Sequence, residues 1–190
     1  MKGRESGMPD EQYWNSFYDA TEIISRLVPE NLSGTLVEFG TGYGTFTIPA
    51  AERVAGNLIG FDIEKELIRS LQVKCNQLNL NRVTLMHRDF CEQGTGLGSS
   101  STDHILLYNI LHIQEAPQLL EEAFRILKVG ASISIIHWRS DIETPRGPSL
   151  SIRPTVKDCV ELSLEAGFNN HKVVDISDVS PYHFGITVSK

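Results

Sequence analysis

Residues 36–47 constrain the fold of this chain more than any other stretch, because they read Leu-Val-Glu-Phe-Gly-Thr-Gly-Tyr-Gly-Thr-Phe-Thr. Residues 36–39 are apolar enough to predict a short buried strand. Residues 46–54 predict a helix, with Pro49 near its start, where a missing N–H costs least. Three glycines at alternate positions suit neither a strand nor a helix interior. They therefore predict a tight strand-to-helix turn whose backbone can lie close to a ligand, with an ordinary glycine-rich loop as the alternative.

The spacing of these glycines separates two classes of ligand. A dinucleotide site of the dehydrogenase type has the pattern Gly-x-Gly-x-x-Gly. Here the glycines are Gly40, Gly42 and Gly44, and Thr45 stands where that pattern has its last glycine. Glu38 lies two residues before the first glycine, where an acid repels a pyrophosphate and attracts a cation. The stretch therefore favours a cationic ligand over a dinucleotide.

Predicted strands and helices alternate along the rest of the chain. After the first strand, strands are predicted at 57–62, 83–90, 103–112 and 131–138, with helices at 64–79 and 116–127 between them. This alternation predicts an α/β fold with a parallel, doubly wound sheet. A further helix at 155–166 precedes two strands, 172–176 and 184–188, whose short link requires antiparallel pairing. Before the glycine turn we expect loose residues at 1–12 and a helix from about residue 20 to residue 28.

The segment Glu-Phe-Gly-Thr-Gly-Tyr-Gly resembles the first motif of the class I S-adenosylmethionine-dependent methyltransferases, in particular small bacterial and archaeal members of unassigned substrate. The turn Leu-Lys-x-Gly at 127–130 is also similar to that family, and the resemblance covers about 33–190. It implies a single domain over 1–190 with a Rossmann-like, mostly parallel sheet of seven strands. The implied strand order is 3-2-1-4-5-7-6, with the last two strands forming an antiparallel hairpin. S-adenosylmethionine is the implied cofactor, and methyl transfer to a small-molecule acceptor is the implied function.

The same resemblance assigns the cofactor contacts. Glu38 and the backbone of the glycine turn would hold the methionine end, and Asp89 with Phe90 would bind the adenine. Asp62 follows Gly40 by 22 residues and ends a predicted strand, the position from which an acid accepts hydrogen bonds from ribose hydroxyls. The predicted cofactor-binding residues are Glu38, Phe39, Gly40, Thr41, Gly42, Gly44, Asp62, Ile63, Asp89, Phe90 and Asn109.

Fewer sequence features identify the residues that would bind the methyl acceptor. His112 and His137 follow strands whose ends should face the cofactor, so either is a candidate base or a structural histidine. The predicted substrate-binding residues are Tyr13, Trp14, Trp138 and Arg146. Residues 1–32 are expected to form a helical and aromatic segment, either a lid that excludes water or a flap packed on the core. Arg146 and Arg153 flank a polar loop and either bind an anionic acceptor or hold the loop down.

Composition limits the possible binding partners and the cellular compartment of the protein. The net charge is −7 with no run of Lys or Arg, which disfavours nucleic acid as a partner. No apolar run reaches transmembrane length, and the polar residues 1–7 do not read as a signal peptide. The 3 cysteines are widely spaced, which predicts free thiols in the cytoplasm and no metal site. The resemblance leaves a homodimer open. A nicotinamide-dependent oxidoreductase and a non-catalytic, cofactor-binding partner subunit are the alternative functions.

Overall fold

The computed structural model describes residues 8–190, in which helices alternate with the strands of one sheet. The strands are β1 (Thr35–Phe39), β2 (Asn57–Asp62), β3 (Val83–His87), β4 (Thr102–Tyr108), β5 (Leu127–Trp138), β6 (Asn169–Val174) and β7 (His183–Ser189). The helices are α1 (Glu11–Asn15), α2 (Ala20–Leu27), α3 (Thr47–Arg53), α4 (Lys65–Gln77), α5 (Phe90–Gln93), α6 (Ala116–Ile126) and α7 (Val156–Glu165), with a short 3-10 helix at Leu150–Ile152.

The strand order is β3-β2-β1-β4-β5-β7-β6, which confirms the predicted Rossmann-like fold and its topology. Strands β1 to β5 pair in parallel, whereas β7 pairs antiparallel with both β5 and β6. The order reverses between β1 and β4. Open α/β sheets bind ligands beyond the carboxyl ends of their strands at such a point, and the glycine turn follows β1 there.

Two apolar clusters cover the two faces of the sheet. One contains side chains of α5, α6 and α7, and the other contains side chains of α2, α3 and α4. Alternation along β1 divides its residues between them, with Val37 and Phe39 in the first cluster and Leu36 in the second. Both faces are therefore buried, which explains why the central strands read as nearly continuous apolar runs.

Several element boundaries differ from those predicted. The third strand ends at His87 because Asp89 caps the short helix α5, and β4 ends at Tyr108 because Asn109 has a φ of 57°. Strand β5 begins at Leu127, before the predicted start, and β6 occupies Asn169–Val174. Helix α1 includes residues predicted to be loose. The part of that prediction at residues 1–7, and the absence of a signal peptide there, lie outside the described residues.

Within residues 8–190 no helix has the length and apolar character needed to cross a membrane. The three cysteines are free thiols, of which Cys75 and Cys159 are buried.

Candidate functional site

The glycine turn after β1 is held by the backbone and side chain at the end of β2. The N–H groups of Gly40 and Thr41 both donate to the carbonyl of Phe61, at 2.8 and 3.0 Å. The N–H of Gly42 donates to Oδ2 of Asp62 at 2.8 Å. Gly42 has a φ of 52°, in the left-handed region that glycine adopts without strain. The predicted strand-to-helix turn is thus present, and Asp62 fixes its shape.

A cavity of about 490 Å³ opens beside this turn at the carboxyl ends of the parallel strands. Most of the predicted site residues line it: Gly40, Thr41, Gly42, Asp62, Ile63, Asp89, Phe90, Asn109, His112, Trp14, Trp138 and Arg146. The fold therefore brings together, in one cavity, the residues predicted for both the cofactor and the acceptor.

The remaining predicted residues lie outside the lining of this cavity. Phe39 is fully buried in the core, and a side chain at Gly44 would overlap Leu71 of α4, which gives this glycine a packing role. His137 is fully buried behind His112, and Tyr13 is 41% exposed at the surface. Their assignment to the site still rests on the sequence alone.

Glu38 also lies outside the lining, beneath the turn. Its side chain is buried, and the hydroxyl of Thr47 donates to its Oε2 at 2.5 Å. Burial raises the pKa of Glu38 to about 8, with the nearby Asp62 acting in the same direction and the Thr47 hydrogen bond opposing both. Glu38 is therefore protonated at neutral pH in the absence of a cation, and its predicted contact with the cofactor stays a prediction.

Two carboxylates turn toward the cavity with their backbone contacts already made. Asp62 accepts from the N–H of Glu64 through Oδ1 at 2.8 Å, as well as from Gly42 through Oδ2. Burial raises the pKa of Asp62, and these backbone hydrogen bonds oppose that shift. Asp89 accepts through Oδ1 from the N–H groups of Cys91 and Glu92, both at 3.1 Å. Each carboxylate is thus held in place by backbone N–H groups, and both residues line the cavity.

A directed chain of hydrogen bonds sets the orientation of Asn109. Ser180 donates to the carbonyl of Phe17 at 3.1 Å, so its oxygen accepts from Nδ1 of His183 at 2.8 Å. Burial lowers the pKa of His183 well below its usual value, so its other nitrogen, Nε2, accepts from the hydroxyl of Tyr18 at 3.0 Å. The Tyr18 oxygen then accepts from Nδ2 of Asn109 at 2.9 Å. Within residues 8–190 the amide oxygen of Asn109 has no hydrogen-bond partner.

Unpaired polar atoms concentrate at this cavity. Asn109 Oδ1 and Thr41 Oγ1 are buried atoms with no hydrogen-bond partner among the described residues, and both residues line the cavity. An unmade hydrogen bond on a buried group costs roughly 1–3 kcal/mol, so such atoms favour a ligand that completes them. Asn109 also has a positive φ, which places this strained residue at the end of β4, in the site.

One side of the cavity is aromatic, and residues of the loop after β5 also line it. Trp14 and Trp138 meet edge to face with their ring centroids 6.2 Å apart. Arg153 is buried and donates to the carbonyls of Pro148, Arg139 and Arg146 at 2.7, 2.8 and 3.2 Å. Of the two roles left open for the arginines, Arg153 thus holds the loop in place, whereas Arg146 lines the cavity.

Sequence reasoning missed part of the site. The additional lining residues are Met8, Thr45, Phe46, Cys91, Tyr108, Ile110, Ile113, Gly147, Pro148 and Ile152. The chain through Tyr18 and His183 was also missed, because it joins residues 165 positions apart and has no local pattern. The alternation of side chains between the two faces of β4 could have indicated Tyr108. The loop residues have no sequence pattern that would have indicated them.

Comparisons with known proteins agree with this geometry. A family model described as a methyltransferase domain matches residues 36–130, which include the glycine turn, Asp62, Asp89 and Asn109. No curated protein matches the chain.

Solved structures share the fold over nearly the whole chain. A SAM dependent methyltransferase from Aquifex aeolicus has a TM-score of 0.80 at 23% identity, covering 94% of this chain and 93% of that one. A geranyl diphosphate methyltransferase in complex with SAM has a TM-score of 0.73 at 13% identity, covering 96% and 91%. The [4+2]-cyclase SpnF has a TM-score of 0.72 at 15% identity, covering 100% and 85%. At these identities the likeness establishes the fold.

Proposed function

The chain belongs to the methyltransferase domain family, and we propose that it transfers a methyl group from S-adenosylmethionine to a small-molecule acceptor. The observation that carries this proposal is the cavity itself. It joins the glycine turn, two positioned carboxylates and an unpartnered amide oxygen to an aromatic wall. Its volume of about 490 Å³ is in the range of small-molecule sites.

The residues present fit this cofactor. S-adenosylmethionine carries an ammonium group, two ribose hydroxyls and an adenine amino group, all hydrogen-bond donors, and acceptor groups line the cavity. Asp62 would accept from the ribose, Asp89 from the adenine amino group, and Asn109 Oδ1 with the turn would hold the methionine end. Ile63 and Phe90 would pack on the adenine ring. When bound, the cofactor supplies a methyl group activated by a positively charged sulfur.

The protein's own side chains would align the acceptor and exclude water. Trp14 and Trp138 form the wall, Arg146 lines the same space, and His112 provides a ring nitrogen. The N-terminal segment acts as a lid in this proposal, because Met8 and Trp14 line the cavity. Hydrogen bonds hold it there, from Tyr43 to the carbonyl of Pro9, from Thr45 to Asn15 and from Lys74 to Glu11. Alignment and water exclusion are the main requirements of an in-line transfer.

Calorimetry with S-adenosylmethionine and S-adenosylhomocysteine tests the cofactor. We expect both to bind and NADH not to bind, since the glycine spacing departs from that of a dinucleotide site. Binding of NADH in preference to S-adenosylmethionine would support the oxidoreductase instead. Gel filtration of the same samples distinguishes a monomer from a homodimer. The acidic charge and free thiols favour a cytoplasmic protein without nucleic acid partners.

Methyl transfer needs its own test, because the fold is shared with a cyclase. Radiolabelled S-adenosylmethionine with a panel of small hydroxyl, amine and thiol acceptors measures it directly. We expect label to enter at least one acceptor class. Tight cofactor binding without transfer to any of them would support the non-catalytic partner subunit.

A further inference from the structure

The rings of His112 and His137 form a pair whose protons can be placed from the geometry. Nδ1 of His137 lies 3.2 Å from the carbonyl oxygen of Trp138, and a carbonyl only accepts, so this nitrogen carries the hydrogen. His137 is fully buried, and burial lowers its pKa to about 3, with His112 and Arg153 acting in the same direction. The ring is therefore neutral, and its Nε2 has no hydrogen.

The unprotonated Nε2 of His137 determines the tautomer of His112. Nδ1 of His112 lies 3.2 Å from Nε2 of His137, so Nδ1 of His112 must be the donor. His112 then has a bare Nε2, for which the described residues provide no hydrogen bond, on a ring that lines the cavity. Burial also lowers the pKa of His112, so this nitrogen is free to accept a proton at neutral pH.

The charged groups around the pair keep it neutral. Arg153 in the loop after β5 acts on the ring of His137, and Arg146 lines the same cavity as His112. The acids of the same cavity, Asp62 and Asp89, are held by backbone N–H groups at the turn and at the cap of α5. The charged group that acts on the buried ring of His137 is thus a cation, which disfavours a protonated imidazole there.

We propose that Nε2 of His112 is the base that takes the proton of an aromatic hydroxyl, and that His137 is a positioning residue which holds His112 in the required tautomer. This proposal rests on the proposed methyl transfer. It names the class of acceptor, a hydroxyl on an aromatic ring, and separates the roles of the two histidines.

The chemistry of the acceptor favours an aromatic hydroxyl. A neutral hydroxyl is a weak nucleophile until its proton leaves, whereas a neutral amine attacks with its lone pair and needs no base first. In the balanced step, the acceptor oxygen forms a bond to the methyl carbon and its proton moves to Nε2 of His112. The bond between methyl and sulfur breaks, and its electron pair stays on sulfur. The aromatic wall of Trp14 and Trp138 suits a flat ring.

Nitrogen-detected NMR of the histidine rings tests the tautomers without any acceptor. The protein is labelled at histidine and saturated with S-adenosylhomocysteine at neutral pH, and the variants His112→Gln and His137→Gln assign the signals. We expect the hydrogen on Nδ1 in both rings and a bare Nε2 on His112. A hydrogen on Nε2 of His112, or a fully protonated His112 ring, would overturn the proposal. Failure to bind S-adenosylhomocysteine at all would instead contradict the proposed function.

A pair of substitutions at His137 separates positioning from packing. His137→Gln keeps an acceptor near the place of Nε2, whereas His137→Leu removes it. We expect His137→Leu to lower kcat at least tenfold and to change the acid limb of the pH profile, with His137→Gln recovering most of the activity. Equal losses in both variants with unchanged pH profiles would reduce His137 to a packing residue.

His104→Leu is the matched control for burial. His104 is also fully buried with a pKa lowered to about 3, but its ring contacts Ser132 and Ser134 in the middle of β5. We expect this variant to be less stable while its pH profile keeps the shape of the wild type. A shift like that of His137→Leu would show that the profile reports loss of stability.

Substituted phenols of graded acidity test the acceptor class. We expect wild-type protein to methylate them, and His112→Gln to lose about 100-fold or more, the lower end of the range for general base catalysis. The loss should be smallest for the most acidic phenols, because they ionise without help. Transfer to amines or thiols with none to any phenol would overturn the hydroxyl acceptor and leave the methyltransferase intact.

Discussion

Among single residues, Asp62 connects the backbone of the site to its ligand. Its carboxylate holds Gly42 and Glu64 and also lines the cavity. We expect Asp62→Ala to weaken binding of S-adenosylhomocysteine by about 1.5–3 kcal/mol, the scale for a hydrogen bond to a charged group. Calorimetry measures this change. Asp103→Asn is the control, since Asp103 pairs with Lys128 at the other end of the sheet. An unchanged affinity in Asp62→Ala would show that Asp62 does not contact the ligand.

Glu38 raises a different question, since it is protonated at neutral pH and lies beneath the turn. If a cationic cofactor binds above it, the cation lowers its pKa, and a proton is released on binding. We therefore expect affinity for S-adenosylmethionine to rise between pH 6 and pH 8 in the wild type. In Glu38→Gln this rise should be absent and binding at pH 8 weaker by on the order of 1–3 kcal/mol.

Calorimetry in buffers of different ionisation enthalpy counts the released proton directly. Equal proton release by wild type and Glu38→Gln would show that Glu38 does not sense the ligand. A gain in affinity on substitution would contradict a cationic ligand altogether.

At the scale of elements, the sequence was informative where a pattern is local. Alternating strands and helices predicted the sheet and its antiparallel end, and the family resemblance supplied the order, which the structure confirms. The predicted element boundaries were wrong where a side chain or an unusual φ determines them. Asp89 does so at the start of α5, and Asn109 does so after β4. The positions of Glu38 and His137 also escaped prediction, because burial depends on which elements cover a strand end.

The hydrogen-bond chain from the N-terminal segment to β7 gives a prediction at this scale. Tyr18 donates to His183 and accepts from Asn109, so Tyr18→Phe leaves two buried groups unpaired. We expect a loss of about 1–3 kcal/mol in the free energy of unfolding, measured with urea. Tyr13→Phe is the matched control, because Tyr13 is 41% exposed, and a surface change of this kind is within about 0.5 kcal/mol. Equal effects in both variants would mean that these hydrogen bonds of Tyr18 add no stability.

For the whole molecule, stability should depend on pH through groups buried in their neutral forms. Burial lowers the pKa of His104 and His137 to about 3 and lowers that of His183 well below its usual 6.5. Unfolding restores the ordinary values, so below about pH 6.5 the unfolded chain binds more protons at these sites than the folded protein does. Stability contributed by the neutral rings is thus present above pH 6.5 and lost as the pH falls.

Glu38 acts in the opposite direction over part of this range. Its folded pKa of about 8 exceeds its ordinary 4.5, so between these values the folded protein holds a proton that the unfolded chain has released. Lowering the pH from 8 toward 4.5 therefore favours the fold at Glu38 while it disfavours the fold at the histidines. The raised pKa of Asp62 opposes the histidines in the same way.

These opposing pH dependences predict how one substitution changes the loss of folding stability at low pH. Glu38→Gln removes one favourable proton uptake and leaves the histidines unchanged, so its stability should fall more steeply with decreasing pH than that of the wild type. One proton corresponds to about 1.4 kcal/mol for each pH unit. Urea unfolding of both proteins at intervals between pH 5 and pH 6.5 measures the difference in slope. Parallel slopes would show that Glu38 ionises normally inside the fold, which would contradict a buried, neutral acid beneath the glycine turn.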